Sequence, residues 1–181
     1  MRMVKAFSLL SIMLLTLVGC AHSGPGTSGS VRANSLIQAN YKAAESLQAQ
    51  LTDRAAGNST LLVATLVNID ALDRSSTLGR LVSEQVSARF TQGGYRMIEM
   101  KFQNSVYMAR GQGELMLTRQ VHELANAHSA EAVIVGTYAA SKDYVLINLK
   151  VVEPASNQVL AVHDYSLPID ENVRLMLRDR R

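Results

Sequence analysis

The 181-residue chain has 18 lysines and arginines and 15 acidic residues, a net charge of +3. Two of the positive charges, Arg2 and Lys5, lie in a predicted N-terminal leader, so the charge gives no support to a nucleic-acid-binding surface. A single cysteine excludes an intrachain disulfide and any metal site built from several cysteines. Hydrophobic residues make up 48% of the chain, which is enough for the core of one domain of ordinary size.

The N-terminus has the pattern of a secretory signal peptide. Arg2 and Lys5 precede an apolar run at 6–18, whose 13 residues are fewer than the roughly 20 that a membrane-spanning helix needs. Residues 17–20, Leu-Val-Gly-Cys, resemble a bacterial lipobox, in which the cysteine thiol is acylated and becomes the new N-terminus. We therefore expect cleavage before Cys20 and lipidation of its sulfur. The alternative is an ordinary signal peptide that contains a cysteine.

A short polar segment follows Cys20. Residues 21–30 are rich in glycine and serine and predict a flexible tether. Residue 21 is alanine, whereas bacterial lipoproteins kept in the inner membrane usually have aspartate there. The resemblance therefore implies an outer-membrane location, facing the periplasm. We expect the chain to divide into a signal peptide at 1–19, a lipidated cysteine with its tether at 20–33, and an α/β domain at 34–181.

Hydrophobic periodicity predicts helices and strands that alternate and end in three strands. The first half of the domain has a predicted helix capped by Asn34 or Ser35, a strand at 61–69 buried on both faces, and a helix at 78–91. Ser75, Ser76 or Thr77 caps this second helix, and Gly93-Gly94 stops it. The elements that follow are a strand at 95–100, a helix at 118–127, strands at 132–139, 144–152 and 158–166, and a short helix at 170–177. Residues 101–113 are interpreted as a surface loop.

This order predicts a single α/β (α+β) domain. Two strand–helix–strand units imply parallel pairing with right-handed crossovers, and two hairpins then add antiparallel strands at one edge. We expect a mixed parallel and antiparallel sheet of about five strands with helices packed on it.

The sequence contains few candidates for chemistry. His122-Glu123 begins a His-Glu-x-x-His zinc motif, but Asn126 stands where the second histidine is needed. Ser75 lies at a strand-to-helix turn, where a nucleophilic serine would fit, although serines at such turns routinely cap helices. We therefore expect no catalytic residues, no metal and no cofactor, and a protein that is not an enzyme.

Two further groups allow alternative interpretations. Asp70, Asp73 and Asp143 are either a carboxylate site or ordinary turn residues. Arg80 lies in the first turn of a predicted helix, where the macrodipole favours acidic side chains. It is either a solvated arginine or a residue kept for a partner or a buried pair.

Several stretches resemble outer-membrane lipoproteins that carry the FlgO-type domain, named for an accessory protein of the bacterial flagellum. They are residues 67–70 (Val-Asn-Ile-Asp) with 75–80 (Ser-Ser-Thr-Leu-Gly-Arg), 90–99, 113–119 and 132–138. The motif positions, expected to be structural or partner-binding, are Asn68, Ser75, Ser76, Gly79, Arg80, Gly94, Tyr95, Gly136, Thr137 and Tyr138.

The resemblance implies an α/β domain similar to the N-terminal domain of TolB and a non-enzymatic role at the outer membrane. In flagellated relatives that role is linked to motility and to rings around the flagellar base. The first hypothesis is a lipid-anchored interaction module that docks onto a protein partner at the outer membrane, possible partners including the flagellar base. The alternative is a lipoprotein regulator of a periplasmic enzyme such as a peptidoglycan synthase.

The length of the tether bears on these two hypotheses. A tether of about 13 residues reaches at most about 45 Å when fully extended, which favours a partner close to the outer membrane. The predicted docking surfaces are the loop at 101–113 and the edge of the final hairpin.

Overall fold

The computed structural model describes residues 28–52, 59–100, 123 and 125–178. Its named elements are α1 (Ser28–Leu51), β1 (Thr60–Ala64), β2 (Val67–Asn68), α2 (Thr77–Gln92), β3 (Arg96–Met100), β4 (Ala132–Ala140), β5 (Tyr144–Glu153), β6 (Gln158–Pro168) and α3 (Glu171–Leu177). Residues 123 and 125–127 are also helical. They belong to the helix predicted at 118–127, whose other residues lie outside the described ones.

The strands form one mixed sheet in the order β3-β1-β4-β5-β6, with β2 paired to β4. β1 runs parallel to both β3 and β4, and the hairpins β4–β5 and β5–β6 are antiparallel. The parallel pairs come from the two strand–helix–strand units, because such a crossover returns the chain to the same end of the sheet. The predicted mixed sheet is confirmed.

The core explains the sequence pattern of β1. Leu61 and Val63 pack into the main hydrophobic cluster with α1 and α2 on one face of the sheet. Leu62 packs into a second cluster on the other face, with Ala125 and Val133. Because both faces are covered, β1 needs consecutive apolar residues rather than alternating ones.

The amphipathic elements bury the faces that their periodicity predicts. Leu78, Val82, Val86 and Phe90 of α2 are fully buried, as are alternate residues of β5. Ser76 is the N-cap of α2, and the helix ends at Gln92 with Gly93 as its C-cap, followed by Gly94 with a positive φ of 94°.

α1 begins earlier than predicted. Its first residue is Ser28, so Asn34 and Ser35 lie inside the helix rather than cap it. Adding a residue to an existing helix costs far less than nucleating one, and no proline lies between Ser28 and Leu51 to stop the N-terminal extension. α1 therefore overlaps the predicted tether from residue 28 onward. The predicted end of this helix, at 55–58, lies outside the described residues.

A polar network joins α1 to α2 and β6 inside the core. Asn40 is fully buried; its Nδ2 donates to Oε1 of Gln85 at 2.6 Å, and its Oδ1 accepts from the Tyr165 hydroxyl. Burial raises the pKa of Tyr165 well above its ordinary value of 10.0. A buried network of this kind fixes the position of α1 more specifically than apolar contacts do, because every polar group must find its partner.

We expect the stability of the domain to fall above pH 10 partly because of Tyr165. Above that pH the tyrosine ionises in the unfolded chain but stays protonated in the fold, so the unfolded state binds fewer protons. Tyr165 then removes about 1.4 kcal/mol from the free energy of unfolding per pH unit. Denaturant titrations between pH 9 and 11 span the pKa of the unfolded tyrosine, so over this range Tyr165→Phe should lose about 1.4 kcal/mol less in total than the wild-type chain. Equal slopes for the two proteins would contradict the prediction.

Candidate functional site

The strand predicted at 61–69 is interrupted at Leu66, where side chains from the α2 region bind the backbone. β1 ends at Ala64, and β2 begins at Val67. The Leu66 N–H donates to Oγ of Ser83 at 2.9 Å, and the Leu66 carbonyl accepts from Oγ of Ser75 at 2.6 Å. The prediction of one continuous strand is wrong, because these side chains take the hydrogen bonds that a neighbouring strand would otherwise make.

Two glycines allow the elements around Leu66 to approach closely. A Cβ at Gly79 would lie 2.7 Å from the Leu66 carbonyl oxygen and 2.9 Å from Cε1 of Tyr138. A Cβ at Gly136 would lie 2.7 Å from the Asn148 carbonyl oxygen and 2.9 Å from the Leu66 side chain. Neither position can accept a larger residue without movement of backbone atoms, since real Cβ atoms do not approach other atoms so closely.

Helix capping completes this arrangement, which we call the Leu66 junction. Oγ of Ser76 accepts from the Gly79 N–H at 3.2 Å, and Oγ of Ser83 donates to the Gly79 carbonyl at 3.0 Å. The junction therefore brings together five motif positions with Leu66 and Ser83. Its members are Leu66, Ser75, Ser76, Gly79, Ser83, Gly136 and Tyr138.

The junction also fixes a surface loop at residues 69–74, which we call the 69–74 loop. The Asn68 N–H donates to the Arg74 carbonyl at 2.8 Å, and Oδ1 of Asn68 accepts from the Asp70 N–H at 3.0 Å. The Ala71 N–H donates to the Asn68 carbonyl at 3.1 Å, and the Ile69 N–H donates to the Tyr138 carbonyl at 3.0 Å. Asn68 thus organises the loop from within, and Tyr138 attaches it to β4.

The 69–74 loop presents an apolar side chain to solvent. Ile69 is 54% exposed, and Asp70, Asp73 and Arg74 around it are exposed as well. The loop lies at the carboxyl end of β2, and this end of the strands is where open α/β sheets usually bind other molecules. A rigid apolar contact with a polar rim is the arrangement found at the centre of protein–protein interfaces.

The remaining motif positions have local structural roles or lie on the surface. Gly94 takes the left-handed backbone that ends α2, and the Tyr95 ring packs on Phe90 with centroids 5.3 Å apart. Thr137 of β4 pairs with β2 in parallel register. Arg80 is exposed and its guanidinium donates to Oγ1 of Thr77 at 3.2 Å, which favours the interpretation as a solvated arginine.

The geometry gives Ser75 a structural role. Its hydroxyl donates to the Leu66 carbonyl, so it is engaged in holding the backbone. Among the described residues, no group of three or more histidine, cysteine, aspartate or glutamate side chains could hold a metal ion. In the same ranges, no helix has both the length and the apolarity that crossing a membrane requires. Cys20, His122 and the predicted loop at 101–113 lie outside the described residues.

Sequence analysis missed Ser83 and Asn40. Both are small polar residues within the apolar stripe of an amphipathic helix, and a buried polar side chain needs a specific hydrogen-bond partner. A polar residue at a position where the stripe is otherwise apolar was the sequence signal that could have identified Ser83 and Asn40. The partners themselves lie 17 and 125 positions away from these residues, and periodicity carries no information about such pairs.

A family model described as FlgO protein matches residues 41–172. The match includes the Leu66 junction, the 69–74 loop and the strands β1 to β6. No curated protein sequence matches the chain.

Solved structures match the chain at low sequence identity. The C-terminal domain of LpoB from Escherichia coli matches with a TM-score of 0.50 and 10% identity, over 71% of this chain and 97% of that domain. The corresponding domain from Salmonella enterica gives a TM-score of 0.49 and 11% identity, over 69% of this chain and 94% of the domain. At such identities the Escherichia coli match shows a common fold, and the expected α/β architecture agrees with it.

Proposed function

The chain belongs to the FlgO family, and we propose that it is an outer-membrane-anchored periplasmic lipoprotein that acts as an interaction module. In this proposal the lipid on Cys20 holds the protein at the membrane, and the 69–74 loop contacts a protein partner. The family name and the sequence resemblance direct us to a partner at the flagellar base, where the protein would support flagellar assembly or motility. The proposal assigns no enzymatic activity to the chain.

The observation that carries the proposal is the use of polar side chains, two of them at motif positions, to fix an exposed loop and the backbone next to it. The hydroxyls of Ser75 and Ser83 form hydrogen bonds with the backbone of Leu66, and the side-chain oxygen of Asn68 accepts a hydrogen bond from the loop itself. An enzyme needs such groups directed at a substrate, whereas a binding module needs a rigid surface. A loop whose backbone is already ordered loses little conformational entropy when a partner binds to Ile69.

We expect Ile69→Asp to impair partner binding without unfolding the domain. The side chain is 54% exposed, so the fold tolerates a charge there, but a carboxylate buried in an apolar contact would lose its hydration. A central interface residue of this kind contributes at least about 1.4 kcal/mol, or tenfold in affinity. The matched control is Val159→Asp, which changes a 49% exposed residue at the opposite end of the sheet.

The experiment places a photo-crosslinking amino acid at position 69 or 159 of the full chain in intact cells. A specific crosslinked product from position 69, absent from position 159 and competed by unmodified chain but not by Ile69→Asp, supports the binding surface. Swimming and basal-body rings are scored in strains that carry each aspartate variant at equal protein levels. Normal swimming and normal rings with Ile69→Asp would remove the flagellar part of the proposal.

A regulator of a periplasmic enzyme is the second candidate. The observation in its favour is the fold shared with the LpoB C-terminal domain, which is a likeness of architecture alone. A purified peptidoglycan synthase assayed with the full chain distinguishes the candidates. Stimulation of its turnover by the wild-type chain, lost with Ile69→Asp and kept with Val159→Asp, would favour this second role over the flagellar one.

A further inference from the structure

The outer edge of β6 is partly closed by α1. β6 is the last strand of the sheet, and Gln50 of α1 bonds to its outer side. The Val162 N–H donates to Oε1 of Gln50 at 3.2 Å, and the Val162 carbonyl accepts from Nε2 of Gln50 at 3.0 Å. One amide side chain thus occupies both peptide groups of Val162, as a neighbouring strand would.

The same bonds reveal the direction of the other peptide groups of β6. Peptide groups along a strand point alternately to the two neighbours, so those of Asp164 and Ser166 point outward with those of Val162. In the part of the chain that the structure describes, no hydrogen bond reaches these two N–H and two carbonyl groups. Pro168 has no N–H, and its carbonyl already accepts from Asp170 at 3.1 Å. The part of the edge with unbonded peptide groups is therefore 164–166, which we call the open window. It is bounded on one side by Val162, whose peptide groups bond to Gln50, and on the other by Pro168.

We propose that this window pairs antiparallel with the same window of a second copy of the chain, with Tyr165 at the twofold axis. In this register Asp164 lies opposite Ser166 of the second copy, and the reverse pair forms by symmetry. All eight open peptide groups are then used, in four hydrogen bonds. The Ser166 hydroxyl can also donate to the Asp164 carboxylate across the pair on the same face.

Val162 and Pro168, at the two ends of the open window, exclude the two neighbouring pairing registers. Placing Asp164 opposite Asp164 brings like charges together and sets Ser166 against Val162, whose peptide groups are occupied by Gln50. Placing Ser166 opposite Ser166 sets Asp164 against Pro168, which offers no N–H and whose carbonyl already has a donor. The window is thus complementary to itself in one register, which is the argument for a second copy rather than an unrelated strand.

Covalent trapping tests the proposed register in cells that express the full chain. Two tagged forms, Asp164→Cys and Ser166→Cys, are co-expressed. Directly opposed residues have Cα atoms about 5.5 Å apart, within the range a disulfide spans, whereas diagonal neighbours lie about 7–8 Å apart. We expect the mixed disulfide to exceed the dimer of either form alone by at least fivefold. The unsubstituted chain controls for dimers formed through Cys20.

A second variant separates pairing from folding. The Ser166 N–H points away from β5, so Ser166→Pro removes an outward donor without taking a hydrogen bond from the β5–β6 pair. It should abolish the dimer seen with an amine crosslinker, and Ser166→Ala should retain it. The proposal is overturned if the mixed disulfide shows no excess, if Ser166→Pro still crosslinks as a folded protein, or if the cysteines trap another protein in place of a second copy.

Discussion

Gly79→Val is expected to lower the free energy of unfolding by more than about 3 kcal/mol, which would unfold much of the protein at growth temperature. A Cβ at this position would lie 2.7 Å from the Leu66 carbonyl oxygen and 2.7 Å from Oγ of Ser75. The carbonyl belongs to the backbone between β1 and β2 and cannot move alone. Two further methyl groups then have to displace either the first turn of α2 or the peptide of Leu66.

Gly79→Ala separates the steric effect from helix propensity. In an open helix position alanine is more stable than glycine by about 0.5–1 kcal/mol, because glycine loses more backbone entropy on folding. Here the clash outweighs that gain, and we expect a net loss of about 1–3 kcal/mol. For a domain of this size the melting temperature falls by about 2–4 °C per kcal/mol.

The control for this series is Gly93→Ala. The three atoms nearest to a Cβ at Gly93 all belong to the end of the Gln48 side chain, and the φ of −78° suits any residue. To make room, this flexible amide gives up its hydrogen bond to the Arg89 carbonyl, which costs about 0.5–1.5 kcal/mol, but no backbone atom has to move. Thermal unfolding should therefore rank Gly93→Ala closest to wild type, then Gly79→Ala, then Gly79→Val. Equal stability of Gly79→Ala and wild type would contradict the tight approach of α2 to Leu66.

The parts of the fold that sequence analysis predicts are those set by local physics. Ser76 caps α2 because its oxygen can reach an N–H three residues ahead, and the stop after the helix rests on the backbone freedom of Gly94, whose φ is positive. The alternating pattern of β5 indicates burial on one face of the sheet, and the continuous apolar run of β1 indicates burial on both faces. Such signals depend on residues within a turn or a strand of one another.

The features that sequence analysis misses depend on distant partners. Residues 61–69 contain no proline or glycine, so nothing local predicts that Leu66 bonds to Ser75 and Ser83 instead of a strand. Gln50 meets Val162 across 112 positions, and an exposed glutamine on a helix carries no sign of a role at a sheet edge. Resemblance identifies the ten motif positions, but only the three-dimensional structure shows that five of them lie together around Leu66.

Cys20→Ser should remove almost all of the protein from the outer membrane. The prediction rests on the proposed lipid anchor: a hydroxyl does not replace the thiolate as the acceptor of the diacylglycerol, so the variant carries no acyl chain. Each buried methylene contributes about 0.8 kcal/mol, and two or more chains anchor a protein firmly where one alone is reversible. The measurement is membrane fractionation with immunoblotting, together with intact mass of the purified chain.

Ala21→Asp provides the matched comparison, because it leaves the acylated sulfur in place. We expect this variant to keep the lipid mass but to collect in the inner membrane, as the resemblance to retained lipoproteins implies. If the partner lies at the outer membrane, both variants should lose the crosslink from position 69, although only Cys20→Ser loses its lipid. A Cys20→Ser protein that stays in the outer membrane would instead require an anchor other than Cys20.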